Sequence, residues 1–591
     1  MKSSVATWVF FALGFVQWAC AEIVYFSIYL TWAPREVAGF TRDVILVNGQ
    51  YPGPQLSLVQ GDEVIFDVRN ECPFNVTVHF HGIEQLNTPW SDGVPGMSQI
   101  PIDEGDSFRY QWTAHQYGAY FYHAHHRGQI EDGLYGPIYI EPSNSEERPF
   151  SMITTEASQL QAMLVAEEKT TPVLLSDWRL LTSEQIWAAE EASGVDAFCA
   201  NALLINGKGS VYCFSAAELD ALTTDDQKSV LGNESLTDIG CFPPDNVGTE
   251  GNYTHDYNKL LPTMFYGCTS SQSAHEVLTV NKNDQYVSWD LTSTAGILHL
   301  MFSVDEHDMY VYAVDGRYIQ PVLVNAINLP SATRYSVLVP LNQVQGDYTI
   351  RMVSGTAQQI INTTATLQYE GKSQLTRPSI PWITTQGTNA TADTILLDDT
   401  TIVPFPAVSP DYTIDQTFKL HIDHFNASYL WTLGNTSFNL ELEESQPLLF
   451  NQTAIPSDLI IKTKNGTWVD LIVQVGTPLQ PAHPIHKHSN KHFVIGQGDG
   501  DFTWDSVADA ILEIPDSFNL VNPPMRDTSA TPIAVTGPVW MALRYQVVNP
   551  GAFLMHCHIQ VHQDGGMALA ILDGVDAWPT IPTAYLDGSG F

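Results

Sequence analysis

The sequence predicts an all-β protein, and three observations support this prediction. Short β-rich runs recur between turns of Gly, Pro, Asn and Asp, as in DVILVNGQYPGPQLSLVQGDEVIFDVRN, which is typical of β-sandwiches and barrels. The composition, 44% hydrophobic and 15% charged, is that of a folded protein with an ample core. A length of 591 residues is sufficient for about three or four domains.

Residues 1–21 are interpreted as a secretory signal peptide. Lys2 precedes an apolar run and the small-residue site Ala19-Cys20-Ala21, where cleavage would leave Glu22 first. No later stretch is long and apolar enough to span a bilayer, so we expect a free, secreted protein, extracellular or in the cell wall. We also expect it to be a monomer. Nine Asn-x-Ser/Thr sequons predict N-glycosylation. They begin at Asn75, Asn233, Asn252, Asn362, Asn389, Asn426, Asn435, Asn451 and Asn465.

The patterning after the signal peptide divides the chain into three β-rich domains. The first is expected at residues 22–143, and the run EPSNSEERP after it reads as a linker. The second, residues 150–371, contains a Cys-bearing insertion and a possible helix at TSEQIWAAEEA. A Thr- and Pro-rich linker, residues 372–412, leads to the third domain, residues 413–591.

The charge balance is strongly acidic. Asp and Glu number 65 against 25 Lys and Arg, which gives a formal net charge of −40. A surface of this sign repels nucleic-acid phosphates and anionic lipids, so we exclude nucleic acid and membrane as partners.

Five cysteines remain once the signal peptide and Cys557, considered below, are set aside. They are Cys72, Cys199, Cys213, Cys241 and Cys268. An odd number allows at most two disulfides and leaves one thiol free. Four of them lie in the insertion between residues 199 and 268. We expect disulfides to cross-link this insertion, either within itself or through a bridge from Cys72.

The segment HCHIQVHQDGGM places potential metal ligands on both faces of one strand. Successive side chains of a strand point to opposite faces, so Cys557 faces one way while His556 and His558 face the other. Cys557, His562 and Met567 form a sulfur, nitrogen and sulfur set of the kind found in blue-copper centres. The alternative, a buried cysteine with histidines beside it by accident, is disfavoured by the rest of the chain.

Three further patches, in VTVHFHGIE, AYFYHAHHRG and PAHPIHKH, repeat the His-x-His spacing, which puts both rings on one strand face. His483 is offset by an odd number from the last pair and can turn toward Cys557. The ligands therefore sort into two environments. One holds His483, Cys557, His562 and Met567, and the other holds His79, His81, His123, His125, His486, His488, His556 and His558. Eight imidazoles suit a multinuclear copper, iron or zinc site, and the adjacent thiolate set favours copper.

The segments HFHG, HAH, HPIHKH and HCHIQVHQDGGM resemble, in order and spacing, the four signature motifs of the multicopper oxidases. The resemblance implies three cupredoxin-like Greek-key β-barrel or sandwich domains and four copper ions. It gives the type 1 ligands His483, Cys557, His562 and axial Met567, the type 2 ligands His79 and His486, and the type 3 ligands His81, His123 and His558 on one copper and His125, His488 and His556 on the other. Asp92 matches the acid that this family keeps beside the cluster for protons, whereas Gln560 stands where many relatives have an acid.

The resemblance further implies a laccase-like enzyme, similar to secreted ascomycete laccases. Single electrons would leave a small phenol or diphenol at the type 1 copper and pass through the His-Cys-His segment, and dioxygen would be reduced to water. A role in pigment synthesis fits such a substrate. We assign substrate contact to His562, and His255 and Asp256 in GNYTHDYNKL could accept a phenolic proton.

Two other functions remain open. An extracellular ferroxidase would use acidic residues near the type 1 copper, but the membrane anchor of the permease-coupled type is not expected here. A copper-binding electron carrier without oxidase chemistry would need the Cys557 site alone, so the eight further histidines disfavour it.

Overall fold

The structure, a computed structural model, describes residues 21–371, 373–586, 588 and 590–591. The predicted signal peptide lies outside the described residues except for Ala21. Strands dominate and short helices lie between them, so the all-β prediction is confirmed.

The first part of the chain forms eight strands in two four-stranded sheets. The strands are β1 (Ile23–Val37), β2 (Phe40–Val47), β3 (Leu56–Val59), β4 (Glu63–Glu71), β5 (Val78–His81), β6 (Ser107–Thr113), β7 (Gly118–Ala124) and β8 (Tyr135–Glu141). The sheet orders are β2-β1-β4-β6 and β3-β8-β7-β5. Every second residue of β4 is buried, as expected of a strand with one face on the core.

The middle part adds eleven strands and four α-helices. The strands are β9 (Thr171–Trp178), β10 (Ala202–Ile205), β11 (Val277–Val280), β12 (Tyr286–Ser293), β13 (Leu300–Val304), β14 (Met309–Val314), β15 (Arg317–Val324), β16 (Ala326–Leu329), β17 (Arg334–Pro340), β18 (Asp347–Ser354) and β19 (Asn362–Tyr369). The helices are α1 (Ala157–Glu168), α2 (Ser183–Ser193), α3 (Ala216–Leu222) and α4 (Asp225–Leu231). The sheet orders are β10-β9-β12-β17-β14-β15 and β11-β19-β18-β13-β16.

The last part contributes eleven strands and three α-helices. The strands are β20 (Gln416–His424), β21 (Trp431–Leu433), β22 (Ile460–Lys462), β23 (Trp468–Val475), β24 (Pro484–Lys487), β25 (His492–Asp499), β26 (Met525–Arg526), β27 (Thr528–Ala530), β28 (Val539–Gln546), β29 (Gly551–Cys557) and β30 (Ala568–Asp573). The helices are α5 (Val507–Glu513), α6 (Gln560–Asp564) and α7 (Thr583–Leu586). The sheet orders are β21-β20-β23-β28-β25-β26 and β22-β30-β29-β24-β27.

Single 3-10 turns connect many of these elements. They are Pro89–Ser91, Pro149–Met152, Tyr257–Lys259, Lys282–Asp284, Asp399–Thr401, Leu440–Glu444, Ser457–Leu459 and Pro515–Ser517. Within the described ranges, no helix has both the length and the apolar character needed to cross a bilayer.

The three parts repeat one topology. Each contains two parallel pairs, one in each of its sheets: β1 with β4 and β3 with β8, then β9 with β12 and β11 with β19, then β20 with β23 and β22 with β30. All other pairings among the described strands are antiparallel. The predicted domain limits are compatible with this division and stay predictions.

The helix predicted at TSEQIWAAEEA is present as α2. The Thr182 side chain accepts a hydrogen bond from the backbone N–H of Gln185, whose side chain accepts one from Thr182, and Gly194 ends the helix with a φ of +73°. Helix α1 is not predicted by the sequence. Only three of its residues are buried, so it lacks the apolar stripe that marks a helix in a sequence.

Among the described cysteines, two disulfides form within the insertion of the middle part, where they join Cys199 to Cys241 and Cys213 to Cys268. Cys72 is a free, buried thiol in the first part, so the possible bridge from Cys72 to the insertion is not formed. Burial raises the pKa of Cys72 to about 12, and this thiol therefore stays protonated and unreactive.

Candidate metal centres

Strand β29 ends in the His-Cys-His motif and runs antiparallel to β24. His556 lies opposite His486, and Cys557 lies opposite Ile485. Side chains directly opposite each other in a sheet share a face, so the two histidines lie on one face and Cys557 lies on the other. One strand therefore presents ligand atoms to two separate places, as the alternation of a strand predicts.

The face that carries His556 meets the other patches in a cluster of eight histidines, each at most 3% exposed. The members are His79, His81, His123, His125, His486, His488, His556 and His558. In three subsets the ring nitrogens lie within 4.8 Å of one another. These subsets are His79, His81 and His486, then His81, His123 and His558, then His125, His488 and His556. The structure thus brings all eight predicted histidines together.

Several ring nitrogens of this cluster are buried without a protein partner. They are Nε2 of His79, His123, His486 and His558, and Nδ1 of His81. In the first three of these rings, Nδ1 lies within 2.9 Å of a backbone carbonyl oxygen and so carries the proton. Burial lowers the pKa of His123 to about 3, which keeps that ring neutral. Neutral imidazoles with a free lone pair are what a metal ion binds, so the cluster fits copper ions.

Asp92 reaches the cluster from the loop after β5. Its Oδ2 accepts a hydrogen bond from Nδ1 of His488 at 2.9 Å, and its backbone oxygen accepts one from Nδ1 of His79 at 2.6 Å. Gly93 permits this approach, because its φ is +80° and a Cβ there would collide with the carbonyl oxygen of Val78. Burial raises the pKa of the Asp92 carboxyl. Asp92 thus fixes two rings of the cluster.

Asp527 is a second carboxylate at the cluster, and the sequence reasoning missed it. Its backbone oxygen accepts a hydrogen bond from Nδ1 of His486 at 2.9 Å. Its carboxylate accepts bonds from Arg334 at 2.6 and 2.7 Å and from Lys491 at 2.7 Å. Burial alone would raise the pKa of Asp527, but Arg334 and Lys491 hold it well below its ordinary value. Since Arg334 begins β17, the middle part supports a cluster whose histidines come from the other two parts.

On the opposite face of β29, Cys557 meets His483 and His562. Its Sγ lies 3.9 Å from Nδ1 of His483 and 3.7 Å from Nδ1 of His562, and the two nitrogens are 3.2 Å apart. Met567 is fully buried, and its carbonyl accepts the backbone N–H of Cys557 at 3.0 Å. Burial raises the pKa of the Cys557 thiol, so a bound cation is needed to hold it as thiolate. Two imidazoles, a thiolate and a neighbouring thioether fit one copper ion.

A cavity of about 720 Å³ lies beside the Cys557 centre, between the middle and last parts. His562 lines it, and Nε2 of this ring lies 3.8 Å from Oδ2 of Asp196. Trp431 packs on the His562 ring with the ring centroids 4.4 Å apart. Asp196 was missed by the sequence reasoning, because no motif marks it and only the fold carries it to His562.

His255 and Asp256, predicted as substrate contacts, do not line this cavity. Nε2 of His255 lies 2.9 Å from the hydroxyl oxygen of Ser428. The Asp256 carboxylate accepts the backbone N–H of Asn258 at 3.1 Å and caps a 3-10 turn. Both polar groups thus have partners that do not line the cavity, and their loop instead places Glu250 in the cavity wall.

A Cys-His centre, joined by one strand to a cluster of eight histidines, points to a copper-dependent redox protein. Models of the multicopper oxidase family match residues 30–145, 169–372 and 429–577. The chain is 43% identical over 578 residues to "Laccase abr2" of Aspergillus fumigatus, covering 96% of this chain and 97% of the relative. It is 40% identical over 583 residues to "Multicopper oxidase MCE" of Talaromyces pinophilus, covering 97% and 96%. The chain therefore belongs to the multicopper oxidase family and is a laccase-like, copper-dependent oxidoreductase.

The fold is also that of a solved laccase. The crystal structure of the laccase from Botrytis aclada matches with a TM-score of 0.71 and 23% identity, covering 96% of this chain and 90% of that chain. This likeness confirms the predicted cupredoxin-like β fold.

Proposed function

We propose that the protein is a laccase-type oxidase, which couples one-electron oxidation of small phenols or diphenols to four-electron reduction of dioxygen to water. One observation carries the proposal. The cavity reaches His562, which lies against Cys557, and Cys557 is flanked in the chain by His556 and His558 of the cluster. A reductant in the cavity is thereby joined to the cluster by a short, covalent path.

The unpaired ring nitrogens support four copper ions per chain. Type 1 copper would be held by His483, Cys557, His562 and Met567, type 2 copper by His79 and His486, and the type 3 pair by His81, His123 and His558 and by His125, His488 and His556. When bound, copper exchanges single electrons and binds dioxygen.

Two carboxylates would manage protons at the two ends of the path. A phenol that loses an electron also loses its hydroxyl proton, and Oδ1 of Asp196, buried and without a partner, is placed to accept it. Asp92 holds His488 and is placed to supply protons where dioxygen becomes water. The cavity and the cluster thus have one carboxyl group each for proton transfer.

The test of this function is oxygen uptake by the copper-loaded protein with a diphenol and, in parallel, with iron(II). We expect turnover of the diphenol, and in Asp196→Asn a roughly 100-fold loss of kcat/KM, which is the lower range for removing a general base. The matched control is Asp226→Asn, a second acid that lines the cavity and is exposed. A preference for iron(II), or an equal loss in the control, would refute the phenol-oxidase function.

Secretion as an N-glycosylated monomer is part of the proposal, and a phenolic pigment precursor would be a suitable natural substrate. None of the nine sequon asparagines is buried, and six are exposed. An oligosaccharide can therefore be accommodated at each without unfolding. Mass spectrometry of protein from the culture medium, before and after deglycosylation, should show a mass loss, and an unchanged mass would contradict glycosylation.

A further inference from the structure

The mouth of the cavity differs in chemistry from its floor. Leu479, Ile533 and Val535, called here the rim patch, line the cavity and are 46%, 61% and 59% exposed. At the floor, His562 and Asp196 are only 3% and 6% exposed. Clustered apolar side chains in water are unfavourable, and such patches mark binding surfaces. The cavity thus has a buried polar end and an exposed apolar end.

The rim patch is held in place by its backbone. Leu479 has a φ of +61°, a left-handed conformation that is unfavourable for any residue with a Cβ. The next residue, Gln480, exchanges two backbone hydrogen bonds with Ala534 at 3.1 Å, and Ala534 lies between Ile533 and Val535. Two loops are therefore joined so that all three apolar side chains lie together.

Polar atoms at the inner end lack protein partners. Oδ1 of Asp196, Nε1 of Trp431 and Oε1 of Gln480 are buried without a hydrogen bond, and all three residues line the cavity. A ligand hydroxyl can donate to either oxygen and accept from the indole N–H. The inner end therefore suits a hydroxylated ring.

The walls of the cavity disfavour anions. Asp226 and Glu250 line it, and the one arginine in its lining, Arg526, donates to Asp315 at 2.7 Å and is thereby neutralised. The net charge of the whole chain is −40. An anionic ligand is repelled on approach and again inside the cavity.

We propose that the cavity binds an uncharged amphiphilic phenol, with its hydroxylated ring against Asp196 and His562 and its apolar extension over the rim patch. This inference rests on the proposed function and names its substrate class. A single-ring diphenol is much smaller than a cavity of about 720 Å³. That volume lies within the range, about 300–1,000 Å³, of sites for drug-sized ligands. An extension that reaches from the ring to the mouth fills the remainder.

The test uses copper-loaded protein and catechols with 4-alkyl chains of increasing length. Burying one methylene completely tightens binding about four-fold, so at a half-exposed rim we expect KM to fall roughly two-fold per methylene. Ile533→Ser and Leu479→Asn should remove this dependence and leave catechol itself unaffected, since Asn tolerates the left-handed backbone. The control is Leu512→Asn, an 83% exposed side chain outside the cavity, which should behave as wild type.

A binding measurement separates this inference from the proposed function. In 4-alkylveratroles the methylated oxygens block phenol oxidation. Calorimetric titration with these compounds should show a dissociation constant that falls by the same factor per methylene, and in the rim variants the dissociation constant should not depend on chain length. A catechol with a carboxylate at the chain end should have a KM at least roughly ten-fold above that of its methyl ester, because of the acidic walls.

The outcomes are distinguishable. If catechol is not oxidised, the laccase function is refuted, and the titration alone shows whether the rim patch binds the apolar extension. If catechol is oxidised but neither KM nor the dissociation constant depends on chain length, the rim patch inference is overturned and the laccase function stands. Rim variants that turn a self-associating protein into a monomer without changing KM would show a protein contact, which also overturns it.

Discussion

The eight-histidine cluster and the Cys557 centre share strand β29 but have different surroundings. The cluster is enclosed by all three parts of the chain, with Asp92 from the first, Arg334 from the middle and Asp527 from the last. The Cys557 centre is open on one side, where His562 faces the cavity. This arrangement keeps the two centres apart: a molecule in the cavity can reach one face of the strand only, and we infer that electrons cross it.

Removing the thiolate should break this arrangement most severely. In Cys557→Ser we expect diphenol-dependent oxygen uptake to fall by at least about 1,000-fold, the scale on which essential catalytic groups act. The blue thiolate absorption should vanish while the near-ultraviolet band of the cluster persists. Cys72→Ala, at an equally buried free cysteine, should retain activity. Substantial activity in Cys557→Ser would contradict the assignment.

Removing the Asp527 charge should destabilise the protein through the contacts that enclose the eight-histidine cluster. Asp527→Asn removes the carboxylate that forms ion pairs with Arg334 and Lys491, and breaking a buried ion pair costs about 3–5 kcal/mol of unfolding free energy. Denaturant unfolding measures this loss. The control, Glu306→Gln, removes a partner of the half-exposed Arg377 and should cost about 1 kcal/mol or less. Equal losses in the two variants would contradict the supporting role of Asp527.

Asp92→Asn should separate the two centres kinetically. Because Asp92 fixes His488, we expect turnover to fall about 10- to 100-fold, as for other partners of metal-binding histidines. Anaerobic bleaching of the blue band by a diphenol should keep its wild-type rate in a stopped-flow experiment. Asp103→Asn, an exposed acid of the same part, is the control. Slow bleaching in Asp92→Asn would place Asp92 on the reductant side.

Sequence patterning predicted what depends on local geometry. The strand period of two separates Cys557 from His556 and His558, and it places His79 and His81 on one face of their strand. The alternation of side chains gives the same result for any His-x-His segment that lies on one strand. The assignment of individual ligands to copper ions remains a prediction that the geometry supports.

Residues that act through distant partners could not be predicted. Asp527 is recognisable only when Arg334 and Lys491, far away in the chain, lie beside it. Asp196 reaches His562 through tertiary packing. His255 instead contacts Ser428, which is also distant in the chain, and Asp256 accepts a hydrogen bond from the nearby Asn258. Periodicity describes residues that are close together in the sequence, whereas most of these contacts join residues that are far apart in it.

The middle part, which supplies no histidine to either centre, should show the smallest effect. Burial raises the pKa of Asp290 to about 7, well above its unfolded value of about 3.9. The native state then binds more protons than the unfolded state between these values, so this group lowers stability as pH rises from about 4 through about 7. The midpoint temperature of thermal unfolding should fall less steeply with rising pH in Asp290→Asn than in the wild type. Asp225→Asn, at a fully exposed position, is the control. An unchanged slope would contradict the raised pKa.

If strand β29 carries electrons between the two metal centres, re-oxidation of the fully reduced, copper-loaded protein should show it. After rapid mixing with dioxygen, the blue band of the Cys557 centre should return together with the near-ultraviolet band of the cluster, within one turnover. A near-ultraviolet band that returns while the blue band stays bleached would show that electrons do not cross β29, and the account would be wrong.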